Sequence, residues 1–351
     1  IQSMLTRLKE LSVQAANDVN SDDEREAIQK EIEQINNEID RISDQTEFNT
    51  QSLINGNLSR RVYSDLQGVN QLSVSDSYTA GVYGITVTED ARQAIAVGAG
   101  SITMSSTASI TEEQAGAINI NGYKISISEG DTLDKVMGKI IDGVNITGGS
   151  AFTVKDLNND TVANGTDYAG YVPTADYAGS TLVIMTNQYG SDQKMNITCD
   201  NAELADILGI PQAATQDGIY VEGSDVKAEI ATGDDGKRIG FADSAILSTK
   251  GTVITVTDVN NKEFSMDVPG NAAGTVFDDS NNDGQSAAGA GTARTISQEV
   301  TDVGTMSIHV GANQDQVIVI DIPAITTYSL GTEHMNVMTQ YTASRAISTV
   351  D

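Results

Sequence analysis

The sequence predicts an α+β chain of several domains: a discontinuous inner helical domain made from both chain ends, with antiparallel β-rich outer domains between them. Three observations predict it. Apolar residues recur with a helical period near each end of the chain and with a strand period through the middle. Glycine reaches 32 of 351 residues while aromatics make up 5% and tryptophan is absent, so the middle layers are thin and rich in turns. With 39% hydrophobic content the chain can bury a core, and its length favours two or three domains over one.

In the first helix Ile1, Met4, Leu5, Leu8, Leu11, Ala15 and Ala16 fall within about 140° of arc, the stripe of a packed helix, with Val13 as the outlier. "NDVNSDD" breaks the pattern. Ser21 with Glu24 three residues later is a capping-box signature, and acids follow in the first turn of a second helix. That helix carries Ile28, Ile32, Ile35, Ile39 and Ile42 as a heptad-like packing seam flanked by Gln, Asn and Glu. Two helices bury only part of such a seam, so a third must come from elsewhere in the chain or from another copy. "TEHMNVMTQYTASRAISTVD" offers it, placing Met335, Ala343, Ala346, Ile347 and Val350 within about 120°. Ile1 has no capping residue before it and Asp351 no stop signal behind it, so both terminal helices are expected to be trimmed and the chain alone not to polymerise.

Between these helices "YGITVTED", "GAINING" with "YKISIS", "STLVIMT", "KMNITC", "GTVITVTD", "KEFSMDV", "TMSIHV" and "QVIVIDI" alternate β-branched with polar residues between Gly, Asn and Asp. They predict antiparallel sheets with one wet face. Two helical stretches interrupt them. "DTLDKVMGKIIDGV" carries Leu133, Val136, Met137, Ile140 and Ile141 on one face, and "NAELADILGI" is shorter.

The formal charge of −29, most of its acid between residues 61 and 300, argues against nucleic acid and against an anionic membrane surface as partners. No run of about 18 apolar residues occurs, and the start lacks the zones of a secretory signal. Cys199 alone can form neither an intrachain disulfide nor a thiolate metal site, and it reads as a small buried hydrophobe. The two histidines, His309 in a strand and His334 at a helix start, form no ligand cluster, and Gly98 and Gly100 do not continue as a dinucleotide fingerprint. "DSNNDG" from Asp279 copies half of a calcium loop, but Ala290 stands where the bidentate Glu belongs, and a solvated loop is the better reading. Asp156, Asp160 and Asp167 read as loop carboxylates. No catalytic, cofactor-binding or metal site is therefore predicted, and no enzyme.

Residues 1–57 resemble the amino-terminal inner domain of bacterial flagellin, with "ELSVQAAN", "SDDEREAIQKEI", "EIDRI" and "TEFN" in the family's order. "IHVGANQDQVIVIDI" and "SLGTEHMNV" resemble its hairpin and the approach to its carboxy-terminal helix. "INGYKISISEGDTLDKVMGKI", "STLVIMTNQYGSDQKMNIT" and "ADILGI" are similar to a small β-β-α-β module recurring in the outer regions of flagellins and hook-associated proteins. The hairpin, often found before the variable region, follows it here, which leaves its pairing open.

The resemblance implies a secreted, extracellular structural subunit of the flagellar filament. Residues 1–64 and 301–351 would form the inner filament-wall domain, 65–240 a variable outer domain and 241–300 a further hairpin part. Implied partners are other flagellin subunits, export chaperone and cap proteins, and Toll-like receptor 5. For the receptor, Arg7, Leu11, Gln14 and Glu31 stand where the family carries its contacts. Arg7, Leu11 and Gln14 share a ridge at the edge of the apolar stripe, where Leu11 reads either as a small anchor or as core, and Arg7 either as a contact or as the partner of a nearby carboxylate. A surface adhesin and a hook-associated filament protein are the alternative functions.

Overall fold

A computed structural model describes the chain except residues 76–77, 155–161, 164–176, 211–217, 259–261, 271, 274–275, 279–286, 289–292, 302, 311–316, 321 and 351. The described residues form a few helices and several antiparallel sheets, an α+β mix. The helices are α1 (Gln2–Ala15), α2 (Asp22–Gln45), α3 (Leu133–Ile146), α4 (Ala202–Ile207) and α5 (Gln340–Val350).

The capping box forms as the sequence predicts. Ser21 Oγ accepts from the Glu24 amide at 3.3 Å, and the Ser21 amide donates to Glu24 Oε2 at 2.8 Å. Two orphan donors at the start of α2 are thereby satisfied, with Asp22, Asp23 and Glu24 at its positive end. Along the seam Ile28, Ile32 and Ile39 are buried, Ile35 is partly covered yet packs against the same cluster, and Ile42 is partly covered. A straight helix drifts about 20° per heptad, which carries Ile35 and Ile42 off the line that Ile28 begins. Arg25 and Ser43, on the other side of that line, are buried instead.

Leu8, Leu11 and Ala15 of α1, the buried isoleucines of α2, and Met335, Val337, Ala343 and Ala346 from the other end share one apolar cluster. The last helix is shorter than expected. Thr339 and Thr342 exchange hydrogen bonds, each amide donating to the other's hydroxyl at 3.0 and 3.1 Å, and this cap starts α5 at Gln340. Met335 and His334 therefore lie in the turns before it.

A second cluster spans residues 94–221 and gathers α3, α4 and two sheets. One sheet runs Ile219–Glu222, Lys194–Cys199, Gly116–Ile120, Tyr123–Ile127, and the other Ile95–Val97, Thr181–Thr186, Gly149–Val154. The hairpin 116–127 turns at Asn121 (φ 51°) and Gly122 (φ 88°), the left-handed pair that matches strand twist. Thr181–Thr186 departs from the expected wet face. Leu182 and Ile184 enter the main cluster, while Val183 and Met185 meet Ile95 and Val97 on the opposite side.

The third cluster joins residues 78–91 with 226–300. Gly81–Glu89 is flanked by Lys227–Ile230 and Arg294–Val300, and Val62–Ser64 completes that sheet. A facing sheet orders Ile246–Lys250, Val253–Thr257, Glu263–Asp267 and Asn70–Val74 around fully buried Phe264, which meets Tyr78, Tyr83 and Phe241. The boundary expected at 240 runs through this cluster, because strands before and after it bury their apolar faces against one another. Met306–His309 pairs with Val317–Ile320 in the register Met306 with Ile320 and His309 with Val317. The half calcium loop with Ala290, and the loop acids Asp156, Asp160 and Asp167, lie outside the described residues.

Candidate functional site

The four residues expected at a recognition patch are divided by the packing. Arg7 donates from Nε and Nη2 to Glu31 Oε1 at 2.9 and 2.7 Å, and from Nη1 to Glu10 Oε2 at 3.3 Å. Glu31 foremost, then Glu10, raises the guanidinium's pKa further. Arg7 and Glu31 thus clasp α1 to α2 across solvent, and Gln14 is exposed farther along α1. Leu11 is not part of that surface: at 1% exposure it belongs to the helical cluster. The patch has a polar face over a buried leucine, with no apolar centre of its own.

Beneath it, Arg25 closes the other end of α1. Its Nε, Nη1 and Nη2 donate to the carbonyls of Ala15, Asn20 and Asn17 at 3.1, 2.8 and 3.0 Å. The Ala15 carbonyl ends α1 and carries partial negative charge, so a cation satisfies it both by hydrogen bonding and by Coulomb attraction, while the Asn17 and Asn20 carbonyls belong to the turn that follows. Sequence reasoning passed over this residue because it sits at the margin of the apolar stripe and its acceptors are backbone atoms.

A polar stripe on α2 was also missed. Gln29 behaves like a strand, its Nε2 donating to Met335 O at 3.1 Å while its Oε1 accepts from the Val337 amide at 2.9 Å. Asn36 Nδ2 donates to Thr332 O at 2.8 Å, and Asp40 accepts from the Thr327 amide at 2.8 Å and hydroxyl at 2.7 Å. Gln29, Asn36 and Asp40 recur at spacings of seven and four beside the isoleucines, which was the available signal. They fasten residues 327–337 along α2.

Other chemistry is sparse. Cys199 is buried, its Sγ donating to Asn201 O at 3.2 Å, and burial pushes the thiol's pKa up. Among the described residues no group of three His, Cys, Asp or Glu side chains could hold a metal, and no helix is long and apolar enough to cross a membrane.

Residues 1–59 match the family described as the bacterial flagellin N-terminal helical region. A flagellin of Clostridium tyrobutyricum is 32% identical, over 38% of this chain and 42% of its own length. A flagellin of Salmonella muenchen is 32% identical, over 41% and 32%, and one of Salmonella typhimurium 29% identical, over 68% and 48%. The chain therefore spans less than half the length of these relatives. Among solved structures, the D1-D2-D3 domains of the flagellar cap protein FliD from Escherichia coli align with 85% of this chain and 63% of that chain at 12% identity and a TM-score of 0.37.

Proposed function

We propose that the chain is a flagellin, similar to that family through its amino-terminal helical region, and that it serves as a structural subunit of the flagellar filament, exported and extracellular. What carries the reading is the stripe of Gln29, Asn36 and Asp40, by which α2 holds a segment about 300 residues later in the chain. In this reading both ends contribute to one discontinuous helical domain, the part suited to a polymer wall, whose partners are further copies of the chain. The same reading takes the two β clusters, residues 62–91 with 226–300 and residues 94–221, as the outer part of the subunit, where most of the chain's acid lies in sequence. Export chaperone and cap proteins are the accessory partners this assignment entails. Peptide mass spectrometry of filaments sheared from the producing cells tests it: the chain should be a principal filament component, and its absence from them would refute the assignment.

A second surface on the same helices suits recognition by Toll-like receptor 5. The supporting observation is the exposed Arg7–Glu31 pair with Gln14 nearby, while Leu11 acts from below by holding α1 in place. Arg7→Ala and Glu31→Ala should each weaken binding to the receptor ectodomain about tenfold or more, as truncation of central interface residues does. Glu229→Ala, on an exposed strand of the outer region, should leave affinity unchanged. Equal affinities for all three variants would remove the receptor from the account and leave the filament reading intact.

A further inference from the structure

Between α5 and the loops that precede and follow the Gly149–Val154 and Thr181–Thr186 strands lies a cleft of about 350 Å³, lined among others by Thr147, Asn187, Gln188, Gln193, Asn336 and Arg345. Arg345 is partly buried, and the single hydrogen bond of its guanidinium among the described residues runs from Nη2 to Gln188 Oε1 at 3.2 Å. No carboxylate of the described residues forms an ion pair with it; Asp192 attracts it from a distance but is itself 3.5 Å from Lys250. Burial lowers the guanidinium's pKa, the mark of a cation removed from water without a matching charge. In a chain of net charge −29 this is unusual, because acids are abundant and none of the described ones forms an ion pair here.

The walls around the guanidinium are polar. Asn336 is committed, its Nδ2 donating to Ile146 O at 3.0 Å and its Oδ1 accepting from the Met338 amide. Asn187 Oδ1 accepts from Ser150 at 2.6 Å, and Gln188 Oε1 is shared between Arg345 and Gln193. The amide nitrogens Nδ2 of Asn187 and Nε2 of Gln188 donate to no other described residue, and both residues line the cleft with Arg345.

We propose that this cleft binds a small monocarboxylate with a hydroxylated body, of the class of sugar acids. The planar guanidinium fork fits a carboxylate through two parallel hydrogen bonds. The side-chain amides suit hydroxyl groups, while Thr147 Oγ1 already donates to Val144 O at 2.8 Å, and the volume lies within the usual range for small-molecule sites. One compensating cation in a strongly acidic protein favours a single negative charge over a dianion such as phosphate. The inference does not depend on filament assembly.

The test is an NMR titration of the isotope-labelled 351-residue chain with sodium gluconate, with glucose as the neutral counterpart and inorganic phosphate as the dianion. Gluconate should shift the Arg345 and Gln188 side-chain signals saturably, glucose should not, and phosphate should bind more weakly. Arg345→Gln should raise the gluconate Kd at least about tenfold. Arg345→Lys, which keeps the charge and loses the fork, should remain weaker than the parent. Gln188→Ala, expected to weaken binding by a few-fold, keeps the proposal testable if Arg345→Gln fails to fold. An absence of saturation at about 100 mM gluconate, an unchanged Kd in Arg345→Gln, equal shifts with glucose, or tighter binding of phosphate would overturn it.

Discussion

Arg25 joins α1 to α2 at a single point, with three nitrogens on three carbonyls and 7% of its surface exposed. Arg25→Met keeps most of the apolar stem and removes the charge, so unfolding free energy should fall by about 2–3 kcal/mol in urea titration, the range for buried hydrogen bonds to a charged group. Asp131 gives a complementary test with a defined pH sign. The ammonium groups of Lys135 and Lys139 and the amide of Ser128 hold its carboxyl well below the usual range, and its side chain is 4% exposed. Because the folded pKa is depressed, the contribution is complete above the unfolded value of about 3.9 and is lost as pH falls through the folded one. The stability difference between the parent and Asp131→Asn should therefore be constant above about pH 5 and shrink below about pH 4. At this scale the sequence is readable where partners are local. Ser21 and Glu24 announce their cap three residues apart, whereas Arg25 reaches back five to ten residues to backbone atoms that no side-chain pattern marks.

The seam of α2 shows what periodicity alone conveys about an element. Ile28 and Ile32 could be placed at once, while Ile35 and Ile42 drift toward the margin of the seam, because a straight helix keeps the 3.6-residue period instead of the 3.5 of a supercoil. Ile32→Asp should consequently cost several kcal/mol, and Ile35→Asp, at a partly exposed margin, about 1–2 kcal/mol; urea midpoints of the two variants compare them directly. Equal losses would mean that the margin is packed as tightly as the centre. Strands were legible wherever alternation met a turn signal, as at Tyr123–Ile127 behind Asn121 and Gly122. Thr181–Thr186 was recognisable as a strand but not as one covered on both faces, since its second cover, Ile95 and Val97, lies about 90 residues earlier in the chain. The start of α5 was missed for a local reason: Thr339 and Thr342 cap each other within what reads as a continuous amphipathic pattern.

For the whole molecule, helices at the ends and sheets in the middle followed from composition and period, but the grouping of the sheets did not. Gly81–Glu89 pairs with Arg294–Val300 across more than 200 residues, and nothing in either segment names the other. Likewise the proposed recognition patch was half legible: the Arg7–Glu31 contact follows from a hairpin of helices, while Leu11 could be assigned to the core only once α5 was seen against α1. The proposed assembly places these parts at different radii. Helices closed by contacts between distant parts of the chain form the wall, and two acidic β cores stand outside it. Cryo-electron microscopy of filaments sheared from the producing cells tests this most directly. The account predicts α1, α2 and α5 side by side in the inner wall, with residues 62–300 projecting outward. A wall built from the 62–300 β cores, or residues 327–337 detached from α2 and lying at another radius, would contradict it.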